Sequence, residues 1–154
     1  MSRGDGGSSE LFARVAPVAD AIAQKLVHAG EHVGDGTAVK LACNAWAAAN
    51  TAGTAQSLAI VRAQGLDPWL WFEVITGGTT DSPYCHLKGE KMLTGDFSPQ
   101  FAVDALRKDL GLITEAARAG GVSTVLLDTL SGLYAQAAAD GHAGHDIAAV
   151  FTQF

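Results

Sequence analysis

The stretch 34-GDGTAVKLACNAWAAANTAGTAQSLAIV-61 decides the fold. Between Asp35 and Arg62 it carries one charged residue, Lys40. The rest is mostly Ala, Gly, Thr, Leu and Ile, with amides at Asn44, Asn50 and Gln56. It contains no proline, and its alanine content favours helix. A helix this long with so little charge on any face is expected to be enclosed by protein on most sides. Lys40 and Asn44 stand out in it, because residues four apart share a helix face one turn apart.

Working outward, the predicted elements are helical. On the N-terminal side, residues 1–8 are rich in Gly and Ser and are expected to be loose. Ser9 is placed to cap a helix over 9–24, with Phe12, Val15, Val18, Ala19 and Ile22 as its apolar stripe and Pro17 bending or ending its first half. Lys25–Gly30 reads as a short strand, too short to stand without partners, and no other strand is evident. On the C-terminal side, Gly65 closes the long helix and Asp67-Pro68 starts PWLWFEVIT, which Gly77-Gly78 end. Ser82-Pro83 starts PYCHLKGEKML, weakened at Gly89. After a turn-rich loop, Phe101 to Ala119 is amphipathic through Phe101, Leu106, Leu110, Ile113 and Ala117. Ser123 is placed to cap a helix ending at Gly141, and Asp146 a last short one. This is a bundle of about six or seven helices.

Composition bounds the function. The 154 residues suffice for one domain with its own core, 48% are hydrophobic and 17% are charged. Formal charge is −6, with no basic stripe of the kind a nucleic-acid binder shows. Cys43 and Cys85 form no disulfide framework and read as reduced core residues, so a cytoplasmic setting is expected. MSRGDGGSS has no apolar segment of a signal peptide, and the polar interruptions of the long helix argue against a membrane span.

Two readings of Lys40 follow from spacing. Either its ammonium snorkels to water, or apolar surroundings desolvate it and suit it to proton transfer, with Asn44 holding a carboxylate or hydroxyl nearby. Gly34 and Gly36 would let a ligand or another backbone approach. His142, His145 and Asp146 lack a fourth partner, so no metal site is identified. Trp46, Trp69 and Trp71 are expected in the core or on a dimer face.

Gly34, Gly36, Lys40 and Asn44 match G-x-G-x-x-x-K-x-x-N-N, the signature of the β-hydroxyacid dehydrogenases, the family of 3-hydroxyisobutyrate dehydrogenase and, more distantly, 6-phosphogluconate dehydrogenase. The chain resembles the C-terminal domain of that family. The resemblance continues through AQSLAIVRAQGLDP, MLTGDFSPQF, LRKDLGLITEAARAGGV and GHDIAAVF. It implies an all-α bundle like the 6-phosphogluconate dehydrogenase C-terminal domain, with residues 1–30 as lead-in helix and last strand of a Rossmann domain and 31–154 as the helical domain. It implies NAD or NADP as cofactor, Lys40 as catalytic proton relay, Asn44 and Phe101 at the substrate, Lys108 at the cofactor, Asp109 as a structural acid, and a homodimer through the helices. Without the resemblance, Lys108-Asp109 would read as a solvated pair and Phe101 as core packing.

The chain departs from the pattern at Cys43, where the family has the first Asn of its pair, and at Gln56, where an acid is common. The Gly-rich nucleotide-binding turn and the Ser-Gly-Gly substrate loop of the family are absent from these residues. Gly6-Gly7 is not read as a substitute, because no preceding strand is predicted. The chain is therefore expected to be inactive without a Rossmann half. The alternative is a non-catalytic helical module for dimerisation or partner binding.

Overall fold

The computed structural model describes residues 2–20 and 25–154. Contacts divide the chain into two compact units, Met1–Asn44 and Ala45–Phe154. The division falls inside the long helix, so the expected boundary at residues 30/31 lies within the first unit.

The first unit is a strand–helix–strand motif followed by the start of the long helix. Strand β1 (Ser2–Gly6) leads into helix α1 (Ser9–Asp20), and strand β2 (Lys25–Gly30) follows. The strands pair in parallel, Ser2 opposite Lys25 and Asp5 opposite His28, with an irregularity before Gly6. Strand β2 stands where expected, whereas β1 replaces the loose segment expected at 1–8. Its Gly-rich sequence has low strand propensity, and the parallel ladder supplies what composition does not. A strand therefore does precede Gly6-Gly7. Helix α1 runs through Pro17 to Asp20. Ile22, expected on its stripe, lies outside the described residues. Ser8, not Ser9, caps the helix: its Oγ accepts from the Leu11 amide at 3.3 Å.

Helix α2 spans Asp35–Ala63. Gly65 ends it as expected, in the left-handed region at φ 74°. The Gly65 amide donates to Arg62 O and the Leu66 amide to Val61 O, the paired bonds of a Schellman close. The helix is not enclosed on most sides. Ala48, Thr51, Ala52, Thr54, Ala55, Leu58 and Ala59 are buried, while Trp46 is 71% and Ile60 57% exposed. Its buried face is made mostly of small residues with Leu58, and the large apolar Trp46 and Ile60 are left outside. Cys43 is likewise exposed, contrary to the core position expected, whereas Cys85 is buried. Trp46 and Trp69 are exposed and Trp71 is half-buried, so none is a fully buried core residue.

The second unit continues with α3 (Trp69–Ile75), α4 (Pro83–Thr94), α5 (Val103–Ala119) and α6 (Val125–Ala137), then a π turn over Ala138–His142 and a 3-10 helix over Ile147–Gln153. Ser82 Oγ accepts from the Cys85 amide, the cap expected for α4, whereas the cap position of α3 belongs to Pro68 and Asp67 Oδ1 accepts from the Trp69 amide from just outside the helix. Helix α4 runs unbroken through Gly89. This glycine admits Phe72, whose ring tip would lie 2.3 Å from a Cβ there. Before α6 the cap position belongs to Thr124 rather than Ser123. Helix α5 packs on α6, and the 3-10 segment packs on α4, α5 and α6. Its residues Ile147, Ala148, Ala149 and Val150 are fully buried at the centre of the unit's core.

Candidate functional site

Gly34, Lys40 and Asn44 belong to the first unit. Gly34 takes φ 108° and turns the chain into α2. Nothing lies near a Cβ built there, so its role is conformational; the close approach occurs at Gly30, against the Asp35 carboxylate. Asp35 bends back to accept from the His32 amide at 3.0 Å. Two turns into α2 come Lys40, exposed, and Asn44, half-buried, on the same face. The surroundings expected to desolvate Lys40 are not supplied by these residues.

Phe101 and Lys108 belong to the second unit. Phe101 is half-buried and ends the loop before α5. Its amide donates to Asp146 Oδ2 at 3.2 Å and its carbonyl accepts from Ile147 N at 2.9 Å. Lys108 is exposed on α5, and Asp109 is half-buried beside it.

Two buried lysines that the sequence reading did not single out hold this loop. Lys88 Nζ donates to Asp146 Oδ1 at 2.7 Å, and the other carboxylate oxygen accepts from the Gln100 and Phe101 amides. Burial pushes the Asp146 carboxyl up, but Lys88 and the amides of Ala148 and Gln100 outweigh it and hold it below the usual range. Lys91 Nζ reaches Ser98 O at 3.0 Å, Ser98 Oγ at 3.1 Å and the Asp96 carboxylate at 3.3 Å. The Ser98 hydroxyl and amide, with Lys91, hold Asp96 down to about 2. The only sequence signal for this arrangement was the cap position of Asp146, which the structure bears out: Oδ1 accepts from the Ala148 amide.

A second buried network joins three helices. Thr51 Oγ1 donates to Ala47 O at 2.8 Å and lies 3.2 Å from Tyr84 Oη. Its one proton is spent on the carbonyl, so Tyr84 donates to it. Tyr134, fully buried, donates to Ala48 O at 3.2 Å. Burial pushes both phenols above their ordinary range.

The residues that could hold a dinucleotide fit it in part. Lys108 offers an exposed cation. The turn from β1 into α1 has the form of a nucleotide-binding turn but not its chemistry. The Gly7 amide is spent on Gly30 O, and the Ser9 amide and hydroxyl are spent on the Glu31 carboxylate. Those two Ser9 bonds hold the Glu31 carboxyl below its usual range. A side-chain anion already occupies the helix start where a pyrophosphate would sit.

The fold and the Lys40 motif define a class. Residues 34–153 match the family described as NAD-binding of NADP-dependent 3-hydroxyisobutyrate dehydrogenase, and the chain belongs to that family. Among its relatives, L-threonate dehydrogenase of Escherichia coli is 30% identical over 96% of this chain. The crystal structure of 3-hydroxyisobutyrate dehydrogenase from Salmonella typhimurium superposes on 97% of the chain and 52% of its own, with a TM-score of 0.88 and 28% identity. That of the Mycobacterium tuberculosis enzyme, determined with L-serine, covers 96% of this chain and 53% of its own at TM-score 0.85 and 31% identity. The chain spans about half the length of the curated relatives it matches; for the E. coli enzyme the share is 49%. No helix among the described residues is long and apolar enough to cross a membrane.

Proposed function

We propose that this chain is the C-terminal, substrate-binding and dimerising half of an NAD(P)-dependent 3-hydroxyacid dehydrogenase. The observation that carries the reading is the family match over 34–153, which includes Lys40, Asn44, Phe101 and Lys108. A bound dinucleotide, NAD or NADP, would supply the hydride chemistry, as acceptor in oxidation and donor in reduction. Lys40 takes the hydroxyl proton as the alcohol is oxidised, and returns it to the carbonyl oxygen in reduction. Asn44, one turn on, holds the substrate and orients Lys40. Phe101 lines the substrate and Lys108 meets the cofactor. A Rossmann half, in the same or a separate chain, supplies the pyrophosphate site that the β1–α1 turn cannot. Exposed apolar residues, Trp46 and Ile60 on α2 and Trp69, Leu70 and Val74 on α3, support a homodimer contact through the helices. The cytoplasm is the proposed setting.

The test is a hybrid carrying the Rossmann half of the E. coli L-threonate dehydrogenase ahead of this chain. It is expected to bind NAD or NADP and to oxidise a 3-hydroxy acid, with kcat falling by about 10²–10⁴ in Lys40→Ala, as loss of a proton-transfer group predicts. A hybrid that binds the cofactor and turns over no 3-hydroxy acid, or turns it over equally without Lys40, overturns the catalytic reading. The non-catalytic dimerisation module then stands in its place.

A further inference from the structure

The second unit carries a set of donors that the dehydrogenase reading does not use. Asp81, Cys85 and His86 each offer one ligand atom at the start of α4, and these atoms all lie within 4.8 Å of one another. No other such group of three occurs among the described residues. Ser82 caps the helix, which leaves Asp81 just outside it and brings Cys85 and His86 round within its first turns.

The three side chains are oriented by their neighbours. Asp81 Oδ2 accepts from the Gly77 amide at 2.9 Å, and Oδ1 lies 2.7 Å from His86 Nε2. The His86 ring packs at 4.9 Å on Phe72. Cys85 is 5% exposed, with Sγ 3.0 Å from Ser82 O. A cavity of about 300 Å³ opens beside it, lined by Trp46, Asn50, Trp71, Ser82 and Cys85 among others.

We propose that Asp81, Cys85 and His86 form a binding site for a divalent transition-metal ion of the zinc type. One sulfur, one imidazole nitrogen and one carboxylate oxygen together suit zinc or cobalt(II), whereas magnesium and calcium take sets of oxygen ligands. Ligand atoms at bonding distances of about 2.0–2.3 Å around a tetrahedral ion lie roughly 3–4 Å apart, so the present spacing needs only small side-chain adjustments. On binding, the Cys85 S–H bond breaks, a sulfur–metal bond forms and the proton passes to buffer. The Asp81–His86 hydrogen bond gives way to one bond from each to the ion, the imidazole proton moving from Nε2 to Nδ1 so that Nε2 is free to ligate. The carboxylate and thiolate neutralise the metal charge. The fourth position is left for water, with solvent access from the cavity. The Gly77 amide and the Phe72 ring keep carboxylate and imidazole aimed at the ion, the orienting role that outer groups play around metals.

The probe is cobalt(II), titrated into the reduced chain and read by its thiolate charge-transfer and tetrahedral ligand-field bands. Binding is expected to saturate at a single equivalent, to be displaced by zinc and to resist excess magnesium. Cys85→Ser is expected to abolish the charge-transfer band, and Cys43→Ser to leave it unchanged. Asp81→Asn and His86→Gln should each weaken affinity at least about tenfold. These last two residues are partly exposed, so their variants keep a readout should Cys85→Ser disturb the core. Absence of the bands from the folded chain overturns the proposal. So do bands that follow Cys43, or that survive both Asp81→Asn and His86→Gln undiminished.

Discussion

Lys88 Nζ lies 2.7 Å from Asp146 Oδ1, with side-chain exposures of 4% and 0%. The two residues are 58 apart in sequence and tie α4 to the segment that enters the 3-10 helix. A buried pair is a weak source of net stability, but removing one partner strands the other. The partners here are unequal. Asp146 also accepts from the amides of Gln100, Phe101 and Ala148, whereas Lys88 Nζ donates one hydrogen bond among the described residues, to Asp146, and lies 5.8 Å from the centre of the Tyr84 ring. Lys88→Met should therefore cost about 3 kcal/mol, and Asp146→Ala about 5 kcal/mol or more. Urea unfolding checks the order. Equal losses would show that the three amide bonds add nothing.

The same carboxylate predicts the acid limb of stability. The Asp146 carboxyl is held below its usual range despite burial, because Lys88 and the amides outweigh desolvation. Its folded pKa thus lies below the unfolded value of about 3.9. Such a group contributes stability that is fully present above the unfolded pKa and is lost as pH falls through the folded one. The urea midpoint should hold from neutrality to about pH 5 and fall from about pH 4 downward. Asp146→Asn should lower the neutral plateau and flatten the fall. Asp96, held at about 2, is exposed, and solvent screens its interactions. Asp96→Asn should leave the curve nearly unchanged. A curve that keeps its full acid slope in Asp146→Asn would assign that slope to other carboxyls.

What could be read in the sequence was local. The Ser82-Pro83 start, the Gly65 close and the Asp146 cap each depend on neighbours within a few residues, and all three stand. Ser9 and Ser123 show the limit of that reasoning, since an adjacent hydroxyl residue holds the cap position in each case. Strand β1 escaped notice because its ladder partner lies beyond α1. Burial of Lys88 and Lys91 escaped for the same reason: a lysine reads as surface until its distant acceptors are known. The exposure of Cys43 was not legible, because an alanine-rich helix gives no sign of which face its neighbours cover. The roles expected of Lys40 and Asn44 rest on a spaced motif, which names a role without showing the surroundings that would perform it.

Gly89 makes a case in which helix propensity and packing oppose each other. Alanine in a helix interior is favoured over glycine by about 1 kcal/mol. Here its Cβ would stand 2.3 Å from Phe72 Cζ, and Phe72 is itself confined by Trp69, Trp71 and His86. Overpacking of that kind costs about 1–3 kcal/mol. Gly89→Ala should therefore lower Tm, and Phe72→Leu in the same chain should recover part of the loss. A higher Tm in Gly89→Ala would mean that the ring yields freely.

Thr114 carries the opposite opportunity. It is 7% exposed on the buried face of α5, beside Ile113, and its Oγ1 is the one buried side-chain polar atom without a hydrogen-bond partner among the described residues. An unsatisfied buried hydroxyl carries a desolvation penalty of about 1–3 kcal/mol. Valine keeps the branched shape and removes that penalty, though its second methyl must fit where the hydroxyl sat. Thr114→Val should stabilise the chain by about 1 kcal/mol, read as a higher urea midpoint at unchanged slope. Serine at the same position keeps the hydroxyl and loses the methyl, so Thr114→Ser should destabilise. If valine lowers the midpoint as serine does, the hydroxyl has a partner in solution and the penalty does not exist.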